Sequence, residues 1–509
     1  MLAKVTSMGL FGIDAFPVEV EVYATKSEMP SSTIVGLPDA SVKESSDRVR
    51  AALKNSGYYL PTSSITINLA PADVRKEGPA FELPIALGLL EAADKFQVAV
   101  DGHYAVVGEL ALDGRVRKVN GCLSIALQAA EEGLDGIIVP TENAREAAVV
   151  GAVDVIPVSH LTEAVRFLNG TLPIKPLDVD PRDVFEKVGG HQMDMSEVRG
   201  QEHVKRALQV AAAGGHNVLM IGPPGSGKSM LAKRLCTILP MLSLDESLES
   251  TRIYSVTGQL DGQPLLTTRP FRAPHHTVSK AGLVGGGTHP RPGEISLAHH
   301  GVLFLDELPE FSRSTLESLR QPLEDGRVTV SRAKMTVTYP AQFMLVAAMN
   351  PCPCGYRGDT RHECHCTERQ IQNYRRRISG PLMDRIDIQV DVPHVAYRDL
   401  ASRRSGEPSA ELRKSVVQAR QQQIERYAGA DFYTNSRMEN RHVEDFCRVE
   451  SDGQTLLRQA VDALGLSARA YTKVLKIART IADLAGSESI RSEHVSEAIN
   501  YRSLDRTRD

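Results

Sequence analysis

The 509 residues of the chain are too many for a single hydrophobic core and predict about two to four domains. Apolar residues at 42% and charged residues at 24% are typical of a globular protein and exclude collagen-like and wholly disordered classes. The chain has 59 Lys and Arg residues against 63 Asp and Glu residues, so its net charge is −4. This balance excludes a globally basic nucleic-acid binder but permits a local basic patch.

Signals for export and membrane insertion are not visible in the sequence. No apolar run approaches the roughly 20 residues that a membrane-spanning helix needs. The first residues lack the basic start of a secretory signal, and Asp14 interrupts their only apolar run. The odd number of cysteines, seven, disfavours a complete disulfide framework. These features predict a cytoplasmic protein with no membrane partner.

Residues 1–172 alternate between strand-like and helix-like patterns. Residues 18–24 (VEVEVYA) and 65–70 (ITINLA) alternate apolar and polar side chains, as a half-buried strand does, whereas residues 41–57 repeat apolar side chains at helical spacing. This part is predicted to form an α/β domain. The following segment, 173–190, contains several prolines and aspartates and is predicted to be an extended linker.

A second α/β domain is predicted for residues 191–395, and it contains a phosphate-binding pattern. Residues 218–229 read VLMIGPPGSGKS, an apolar strand followed by a glycine-rich loop and a helix start. The glycines allow backbone N–H groups to point at phosphates, while Lys228 would reach the β- and γ-phosphates and Ser229 a Mg²⁺ ion. The predicted ATP-binding residues are Gly222, Pro223, Pro224, Gly225, Ser226, Gly227, Lys228 and Ser229.

Two further strands of this domain are predicted to end in polar residues near that loop. Residues 302–307 read VLFLDE, an apolar strand that delivers two acids to the ligand-binding edge of an α/β sheet. Asp306 is expected to hold Mg²⁺ through water, and Glu307 to deprotonate the attacking water. The strand at 343–350 ends in Asn350, which either positions water or only forms a turn.

Residues 396–509 are helical by pattern and are predicted to form a C-terminal lid. The clearest helix follows Ser467 as its N-cap and stops at Gly486. Arg469, at its start, is predicted to reach the γ-phosphate from the lid, and Arg385 to project into a neighbouring subunit as an arginine finger. Taken alone, either residue is equally well an ordinary surface arginine.

Four of the cysteines cluster within a short segment at metal-ligand spacing. They form two CxC pairs that flank a glycine-containing loop, which can fold back and bring the thiolates together. Four thiolates suit Zn²⁺ in a closed structural site. The predicted ligands are Cys352, Cys354, Cys364 and Cys366. The alternatives are reduced thiols in a loop, a redox-sensing pair, or a site in which His362 or His365 replaces one sulfur.

The order of these motifs resembles a ring-forming AAA+ ATPase with a helical lid. Longer strings resemble the magnesium-chelatase-like ATPases of the YifB/ComM family. These strings are residues 269–287 (RPFRAPHHTVSKAGLVGGG), 349–359 (MNPCPCGYRGD), 378–390 (ISGPLMDRIDIQV) and 466–484 (LSARAYTKVLKIARTIADL). The resemblance covers essentially the whole chain. It implies an α/β multidomain protein with an AAA+ P-loop core, in which a parallel sheet carries helices on both faces.

The family resemblance also implies an assembly and a function. Members are homo-hexameric motors that use ATP and Mg²⁺ and carry a β-hairpin ahead of the strand that here ends in Asn350. Competence-type members are DNA helicases that drive branch migration during natural transformation. The resemblance therefore implies DNA and recombination proteins as partners.

The N-terminal part resembles the proteolytic domain of Lon. The similar strings are residues 71–90, 107–121 and 136–147. Lon uses a Ser–Lys dyad as nucleophile and base. Here Ala80 stands at the serine position, and Cys122 or Leu123 stands at the lysine position. The resemblance therefore implies a Lon-like fold without peptidase chemistry, with a role in DNA handling or ring architecture.

A β-hairpin is predicted at residues 327–339 (RVTVSRAKMTVTY), where apolar and polar residues alternate on both sides of a short turn. In the family such a hairpin points into the ring pore, so Arg327, Arg332 and Lys334 are predicted to contact DNA phosphates. The alternative is a solvated hairpin whose charges prevent edge pairing. Six more arginines, either a solvated face or a second phosphate track, are Arg357, Arg361, Arg369, Arg375, Arg376 and Arg377.

Two functions from different classes fit these motifs. The first is a DNA motor of the helicase or branch-migration type. The alternative is a magnesium-chelatase-type or protein-remodelling ATPase that acts on a protein partner. The N-terminal domain and the cysteine insertion are expected to argue against a chelatase subunit. The missing Ser–Lys dyad argues against an ATP-dependent protease.

Overall fold

The computed structural model describes residues 2–27, 31–93, 103–186, 193–287, 290–332, 335–359, 361–395 and 406–502. These residues form two compact units. The first unit takes in the described residues of Met1–Val188 and Ser243–Thr267, and the second takes in those of Gly189–Leu242 and Thr268–Asp509.

The strands are numbered in chain order. They are β1 (Leu2–Phe11), β2 (Asp14–Lys26), β3 (Ser31–Val35), β4 (Ser63–Ala70), β5 (Tyr104–Val106), β6 (Glu109–Leu110), β7 (Val116–Arg117), β8 (Gly136–Pro140), β9 (Asp154–Val158), β10 (Val218–Ile221), β11 (Phe271–Arg272), β12 (Gly285–Gly286), β13 (Arg291–Pro292), β14 (Val302–Leu305), β15 (Arg327–Arg332), β16 (Met335–Pro340), β17 (Met344–Met349) and β18 (Ile388–Asp391).

The helices are numbered in the same way. They are α1 (Ala40–Asn55), α2 (Glu82–Ala92), α3 (Cys122–Glu131), α4 (Ala144–Ala148), α5 (Leu161–Leu168), α6 (Pro181–Glu186), α7 (Glu202–Gly214), α8 (Lys228–Ile238), α9 (Leu244–Thr257), α10 (Lys280–Val284), α11 (Glu294–Leu297), α12 (Arg313–Glu317), α13 (Arg320–Asp325), α14 (Glu368–Arg375), α15 (Gly380–Met383), α16 (Ser409–Arg426), α17 (Asn440–Phe446), α18 (Ser451–Leu464), α19 (Ala468–Leu484) and α20 (Ser492–Asn500). Within the part of the chain that the structure describes, no helix is both long enough and apolar enough to cross a membrane.

The described residues of the first unit contain two larger sheets and the two-stranded antiparallel sheet β6-β7. One has the strand order β1-β2-β4-β3, with β3 parallel to β4 and the other pairs antiparallel, and the second is the parallel sheet β5-β8-β9. Alternate residues of β2, namely Val18, Val20 and Val22, are buried and pack with residues of α1 and α2 in one core. The strands predicted within 18–24 and 65–70 and the helix predicted within 41–57 are confirmed.

Helix α9 belongs to the first unit, although the sequence prediction counted its residues with the ATPase core. Arg252 on α9 forms an ion pair with Asp14, and the Gly121 N–H donates to the Ser255 carbonyl at 3.1 Å. Leu265, just beyond the helix, packs in a buried cluster with Leu123. The segment Ser243–Thr267 therefore belongs to the first unit, although the residues before and after it in the chain belong to the second.

The predicted linker at 173–190 is not wholly extended. Its described residues include helix α6, with Pro181 at the helix start, where a missing N–H and a fixed φ are tolerated. The last four residues of that predicted linker, 187–190, lie outside the described residues.

The second unit is built on a five-stranded parallel sheet with the order β11-β14-β17-β10-β18. Every residue of β10, β14 and β17 is buried, as expected for central strands covered by helices. The predicted strands at 218–221 and 302–305 are therefore confirmed, and the strand predicted at 343–350 runs over Met344–Met349.

The C-terminal helices share a hydrophobic core with this sheet. Residues of α16, α18, α19 and α20 pack in the same buried cluster as those of α7 and α8. Helix α19 begins as predicted, because the Ser467 hydroxyl accepts the Ala470 N–H at 3.2 Å, and Gly486 follows its end with a φ of +64°. The helices predicted as a lid are thus part of one compact unit with the ATPase sheet.

Candidate functional site

The carboxyl ends of β14, β17 and β10 bring three predicted site segments to one edge of the sheet. The β17 strand lies between the other two, with Leu305 opposite Ala347 and Ile221 opposite Met349. The residues that follow these strands are the acidic pair on β14, Asn350 on β17 and the glycine loop on β10. The carboxyl edge of a parallel sheet is where α/β proteins bind ligands.

The glycine loop depends on backbone conformations and close approaches that need glycine. Gly225 and Gly227 have φ values of +75° and +93°, in the left-handed region that glycine adopts without strain. A Cβ added to Gly222 would lie 2.2 Å from the carbonyl oxygen of Val392. Gly227 gives α8 no side-chain cap, so the first N–H groups of an eleven-residue helix point toward the loop.

Lys228 is 8% exposed and its ammonium group is held inside the loop. It donates hydrogen bonds to the carbonyl oxygens of Gly222 at 2.7 Å and Pro223 at 2.9 Å, and to Asn350 Oδ1 at 3.3 Å. Burial lowers the pKa of this ammonium, while the carboxylates of Asp306 and Glu307 act in the opposite direction. The lysine that would bind phosphate is therefore joined directly to Asn350.

Ser229 and Asp306 meet beside this lysine. The Ser229 hydroxyl donates to Asp306 Oδ2 at 2.6 Å, and Asp306 Oδ1 accepts the N–H of Glu307 at 2.9 Å. Hydroxyl and carboxylate oxygens are the hard ligands that Mg²⁺ prefers together with phosphates. The donor set fits the predicted Mg²⁺, which would neutralise phosphate charge when bound.

Glu307 has an uncommon backbone and an unpredicted partner. Its φ of +53° is in the left-handed region, which is rare outside glycine and often marks a functional position. Its Oε2 lies 3.2 Å from Nδ1 of His276, whose ring also packs edge-on against Phe311. His276 was missed by the sequence analysis. The feature of the sequence that could have indicated it is the His275–His276 pair, which follows shortly after β11. In the sheet β11 is paired with β14, the strand that precedes the acidic pair.

Arg385 lies at the opposite edge of the same sheet. It lines a cleft of about 440 Å³ with Asn217, Phe343 and Asp387, which precede β10, β17 and β18. A parallel strand rises about 3.3 Å per residue, so four-residue β10 separates this edge from the glycine loop by roughly 13 Å. The guanidinium of Arg385 donates to the Pro381 carbonyl at 2.7 Å and pairs with a glutamate of α13.

Arg469 lines the same cleft from α19. One turn further along the helix, Lys473 Nζ lies 2.6 Å from Asp387 Oδ1 and joins α19 to the start of β18. Burial alone would raise the pKa of Asp387, but Lys473 and His216 lower it below its ordinary value. The structure thus brings Arg385 and Arg469 together. Neither has a contact with the glycine loop of its own chain among the described residues. The expectation that Arg469 reaches the γ-phosphate from the lid stays a prediction.

The four clustered cysteines converge directly after Asn350. The Sγ atom of Cys352 lies 3.3 Å from that of Cys354 and 3.7 Å from that of Cys364, and the latter two are 3.6 Å apart. The Sγ atoms of these three and of Cys366 all lie within 4.8 Å of one another. Tetrahedral Zn²⁺ with bonds of about 2.3 Å places its sulfur ligands about 3.8 Å apart, so the cluster fits zinc.

The cysteine cluster contacts the glycine loop. Gly355 has a φ of +87°, and a Cβ added there would lie 2.7 Å from Cδ of Pro224. The Tyr356 N–H bonds to the sulfur of Cys354 and lowers the pKa of that thiol to about 6, which favours the thiolate that binds metal. The segment that carries the cysteine cluster therefore packs against the glycine loop.

The predicted hairpin is confirmed as the antiparallel pair β15–β16, with Val330 opposite Val337. Its base is anchored because the Tyr339 hydroxyl donates to the Pro290 carbonyl at 2.7 Å. Arg327 and Arg332 are exposed at the two ends of β15. Lys334 and the rest of the predicted turn lie outside the described residues.

Three of the six arginines between residues 357 and 377 contact other groups of the same chain. Arg357 lies 3.2 Å from a carboxylate oxygen of Glu368, and Arg377 lies 2.8 Å from one of Glu310. Arg361 donates to the Val395 carbonyl at 2.9 Å. These contacts leave less of the run available as a phosphate track than the sequence implies.

The positions that correspond to the Lon-type dyad lie in the first unit. Ala80 lies in a short 3-10 helix, and Cys122 and Leu123 are fully buried at the start of α3. The nearby Lys76 is buried and donates to the carbonyl oxygens of Pro71 and Val74. Ala80 has no hydroxyl group at the serine position, so the residues of the Ser–Lys dyad are not present at these positions.

Three family models match the chain along nearly its whole length. The description "Magnesium chelatase, subunit ChlI" applies to residues 194–400, "Subunit ChlI of Mg-chelatase" to residues 18–143, and "Magnesium chelatase, subunit ChlI C-terminal" to residues 406–502. The match over 18–143 falls in the first unit and the match over 406–502 in the second. The match over 194–400 falls in the second unit except for residues 243–267, which belong to the first.

Individual relatives narrow the assignment. The chain is 44% identical over 508 residues to "Uncharacterized protein YifB" of Salmonella typhimurium, covering 99% of this chain and 98% of that protein. It is 42% identical over 506 residues to "Competence protein ComM" of Haemophilus influenzae, with the same coverage. A Lon protease of Aster yellows witches'-broom phytoplasma is 28% identical over 165 residues, 30% of this chain and 20% of that protein.

The predicted fold class is confirmed: the chain is an α/β multidomain protein with an AAA+ core and a helical C-terminal region. The partial match to a Lon protease agrees with this fold class. The full-length identity to two proteins of one family, together with the glycine loop, the acidic pair and Asn350 at one sheet edge, leads to a single assignment. The chain belongs to the YifB/ComM family of magnesium-chelatase-like AAA+ ATPases.

Proposed function

We propose that the chain is an ATP-driven DNA motor that works as a homo-hexamer in helicase or branch-migration reactions. One observation carries the ATPase part: at the carboxyl edge of the sheet, Ser229 is hydrogen-bonded to Asp306 and Lys228 to Asn350. The name of the Haemophilus relative, a competence protein, supports a role in DNA uptake or recombination.

In this proposal the glycine loop and Lys228 bind the phosphates of ATP, and Ser229 with Asp306 holds Mg²⁺. Glu307 accepts a proton from the attacking water, and Asn350 helps to position that water. The contact of Glu307 with His276 gives the base a resting position, so His276 is a positioning residue for it.

Arg385 and Arg469 lie at the opposite edge of the sheet from the glycine loop, and this arrangement supports assembly into a ring. Arg385 and Arg469 lie at the amino edge of the sheet, and the glycine loop lies at the carboxyl edge, roughly 13 Å away. When copies are arranged head to tail, the arginine edge of one subunit faces the glycine loop of the next, as closed heterologous rings require. Both arginines then act in trans on the neighbour's γ-phosphate.

We propose that Cys352, Cys354, Cys364 and Cys366 bind a structural Zn²⁺. The sulfur separations of 3.3–3.7 Å support four-thiolate coordination more than a disulfide, whose sulfurs lie about 2.05 Å apart. The contact between Gly355 and Pro224 supports a role in stiffening the glycine loop.

The zinc proposal predicts a stoichiometry. Protein purified without added metal should carry about one zinc per chain, and Cys352→Ser with Cys364→Ser should lose it. Structural zinc contributes about 10 kcal/mol or more to folding in small peptides, so the double variant should lose order locally after Asn350. Elemental analysis and limited proteolysis measure both effects. The matched control is Cys236→Ser on α8, which should keep its zinc, and metal-free wild-type protein of full activity would contradict the proposal.

DNA contact is assigned in this proposal to the β15–β16 hairpin. Arg332 ends β15, and Lys334 follows two residues later in the sequence. In a six-membered ring this pair would add about twelve positive charges around a pore. Contacts of this kind go to phosphates and carry no sequence preference. Their strength falls steeply with salt because binding releases counterions.

We expect Arg332→Ala with Lys334→Ala to keep hexamer formation and basal ATPase but to lose DNA-stimulated hydrolysis and junction unwinding. The reason is that the substitutions remove phosphate contacts and leave the nucleotide site intact. ATPase rates with and without DNA, at two salt concentrations, measure the effect. Lys414→Ala with Arg458→Ala removes the same charge from exposed helix positions and should behave as wild type. Unchanged unwinding by the hairpin variant would shift the DNA track to the arginines of 357–377.

The alternative function is a chelatase-type or protein-remodelling ATPase. It is favoured by the three family models that match the chain, since all three describe the ChlI subunit of magnesium chelatase. Because models of the chelatase subunit match both the N-terminal region and the cysteine region, neither feature argues against this alternative as the sequence analysis expected. ATPase rates without DNA and with single strands, duplex and a four-way junction separate the two functions. A rate unaffected by every DNA would favour the alternative.

A further inference from the structure

A second group of metal-binding side chains lies beside the cysteine cluster. Asp359 and His362 are in the loop between Cys354 and Cys364, and His394 comes from the segment that follows β18. One ligand atom from each of the three lies within 4.8 Å of the others. None of these atoms belongs to the cysteine cluster or to the nucleotide site.

The separations match those of ligands around a tetrahedral ion. Asp359 Oδ2 lies 3.2 Å from Nδ1 of His362 and 3.4 Å from Nε2 of His394. Zinc bonds to nitrogen and oxygen of about 2.0–2.1 Å place such ligands about 3.3–3.4 Å apart. A hydrogen bond accounts for the His362 contact, but His394 Nε2 makes no hydrogen bond among the described residues although the atom is buried.

The charge balance favours a cation at this place. The Asp359 side chain is only 2% exposed, and a carboxylate removed from water needs a compensating positive charge or several hydrogen bonds. Asp359 Oδ1 accepts the Arg361 N–H at 3.0 Å and Oδ2 contacts His362, but the His394 imidazole faces Oδ2 at 3.4 Å without a hydrogen bond. A divalent ion between the two nitrogens and the carboxylate oxygen would satisfy all three groups.

We propose that Asp359, His362 and His394 form a second metal site, separate from the cysteine cluster, that binds a zinc-class divalent ion with water as its fourth ligand. Two imidazoles and one carboxylate suit Zn²⁺ and disfavour Mg²⁺, which prefers oxygen ligands alone. His362 is 57% exposed, so the fourth position is open to solvent.

The ion would fasten two segments that are distant in the sequence. Arg361 already donates to the Val395 carbonyl at 2.9 Å, and the metal would add a second tie at the same junction. One tied segment is the loop of the cysteine cluster, next to the glycine loop through Gly355. The other directly follows β18 of the ATPase sheet. Metal occupancy would therefore stiffen the junction between the loop of the cysteine cluster and the end of β18.

The test is zinc stoichiometry at saturation, measured by elemental analysis after free metal is removed. Wild-type protein should bind about one more zinc per chain than His362→Ala with His394→Ala, because the variant lacks two of three protein ligands. The single variant His394→Gln should show the same loss. The matched control is His103→Ala, since His103 pairs with Asp135 at 3.1 Å but belongs to none of the three-residue metal-ligand groups among the described residues. It should bind as much zinc as wild type.

Cobalt separates the two sites spectroscopically. Co²⁺ at the thiolate site gives intense sulfur-to-metal charge-transfer bands, whereas Co²⁺ bound only by nitrogen and oxygen gives weak d–d bands. The His362→Ala/His394→Ala variant should keep the charge-transfer bands, which reports that the insertion is folded, and lose only the weak component. Equal zinc stoichiometry in wild type and both variants would overturn the proposal, whatever the cysteine cluster binds.

Discussion

Glu307→Gln is expected to bind ATP and to lose hydrolysis by about two to four orders of magnitude, the usual contribution of a general base. The amide keeps the size of the side chain but cannot accept the proton of the attacking water. Asp306, Ser229 and Lys228 keep their contacts, so nucleotide affinity and assembly should stay close to those of the wild type. Single-turnover hydrolysis and equilibrium binding of ATP measure the two effects separately.

The control for this substitution is Glu310→Gln. Glu310 lies three residues further along and pairs with Arg377 at 2.8 Å, so the same chemical change there should leave turnover near the wild-type rate. If Glu307→Gln turned over ATP at nearly the wild-type rate, Glu307 would have no part in proton transfer. Loss of ATP binding would instead indicate a structural role, consistent with its unusual backbone conformation.

Arg385→Ala is expected to lower ATP turnover by about 10³-fold or more, the usual contribution of an arginine finger. The arginine lies at the edge of the sheet opposite the glycine loop, and its proposed target is the nucleotide of a neighbouring subunit. ATP binding to the isolated chain should not change, because Arg385 contacts no residue of the glycine loop of its own chain in the described structure. Arg458→Ala, an exposed arginine on α18, should have no effect.

Mixing two inactive variants distinguishes action in trans from action within one chain. Lys228→Ala removes the phosphate-binding lysine, and Arg385→Ala removes the finger. In a mixed ring, some interfaces combine an intact glycine loop from one subunit with an intact Arg385 from the next. Partial recovery of ATPase activity is therefore expected on mixing. A mixture that stays inactive at every ratio would mean that Arg385 does not complete a neighbour's site.

Much of the nucleotide site could be predicted because its signals are local. The glycine loop needs φ values above zero at Gly225 and Gly227, and few other residues adopt them without strain. The buried strand before Asp306 and the cap at Ser467 are equally short-range patterns of hydrophobic period and hydrogen bonding. The hairpin was readable from its period of two, even though its turn lacks the usual glycine or asparagine.

Local sequence patterns specify the glycine loop, the strands, the hairpin and the cysteine pairs, because each of these depends on residues a few positions apart. The contacts between distant segments become visible only in the folded chain. In the structure, α9 belongs to the first unit, His276 contacts Glu307, and His394 contacts Asp359. Arg385 and Arg469 lie at the edge opposite the glycine loop. Such pairings depend on the packing of whole helices and strands, a sum of many weak contacts that no local pattern records.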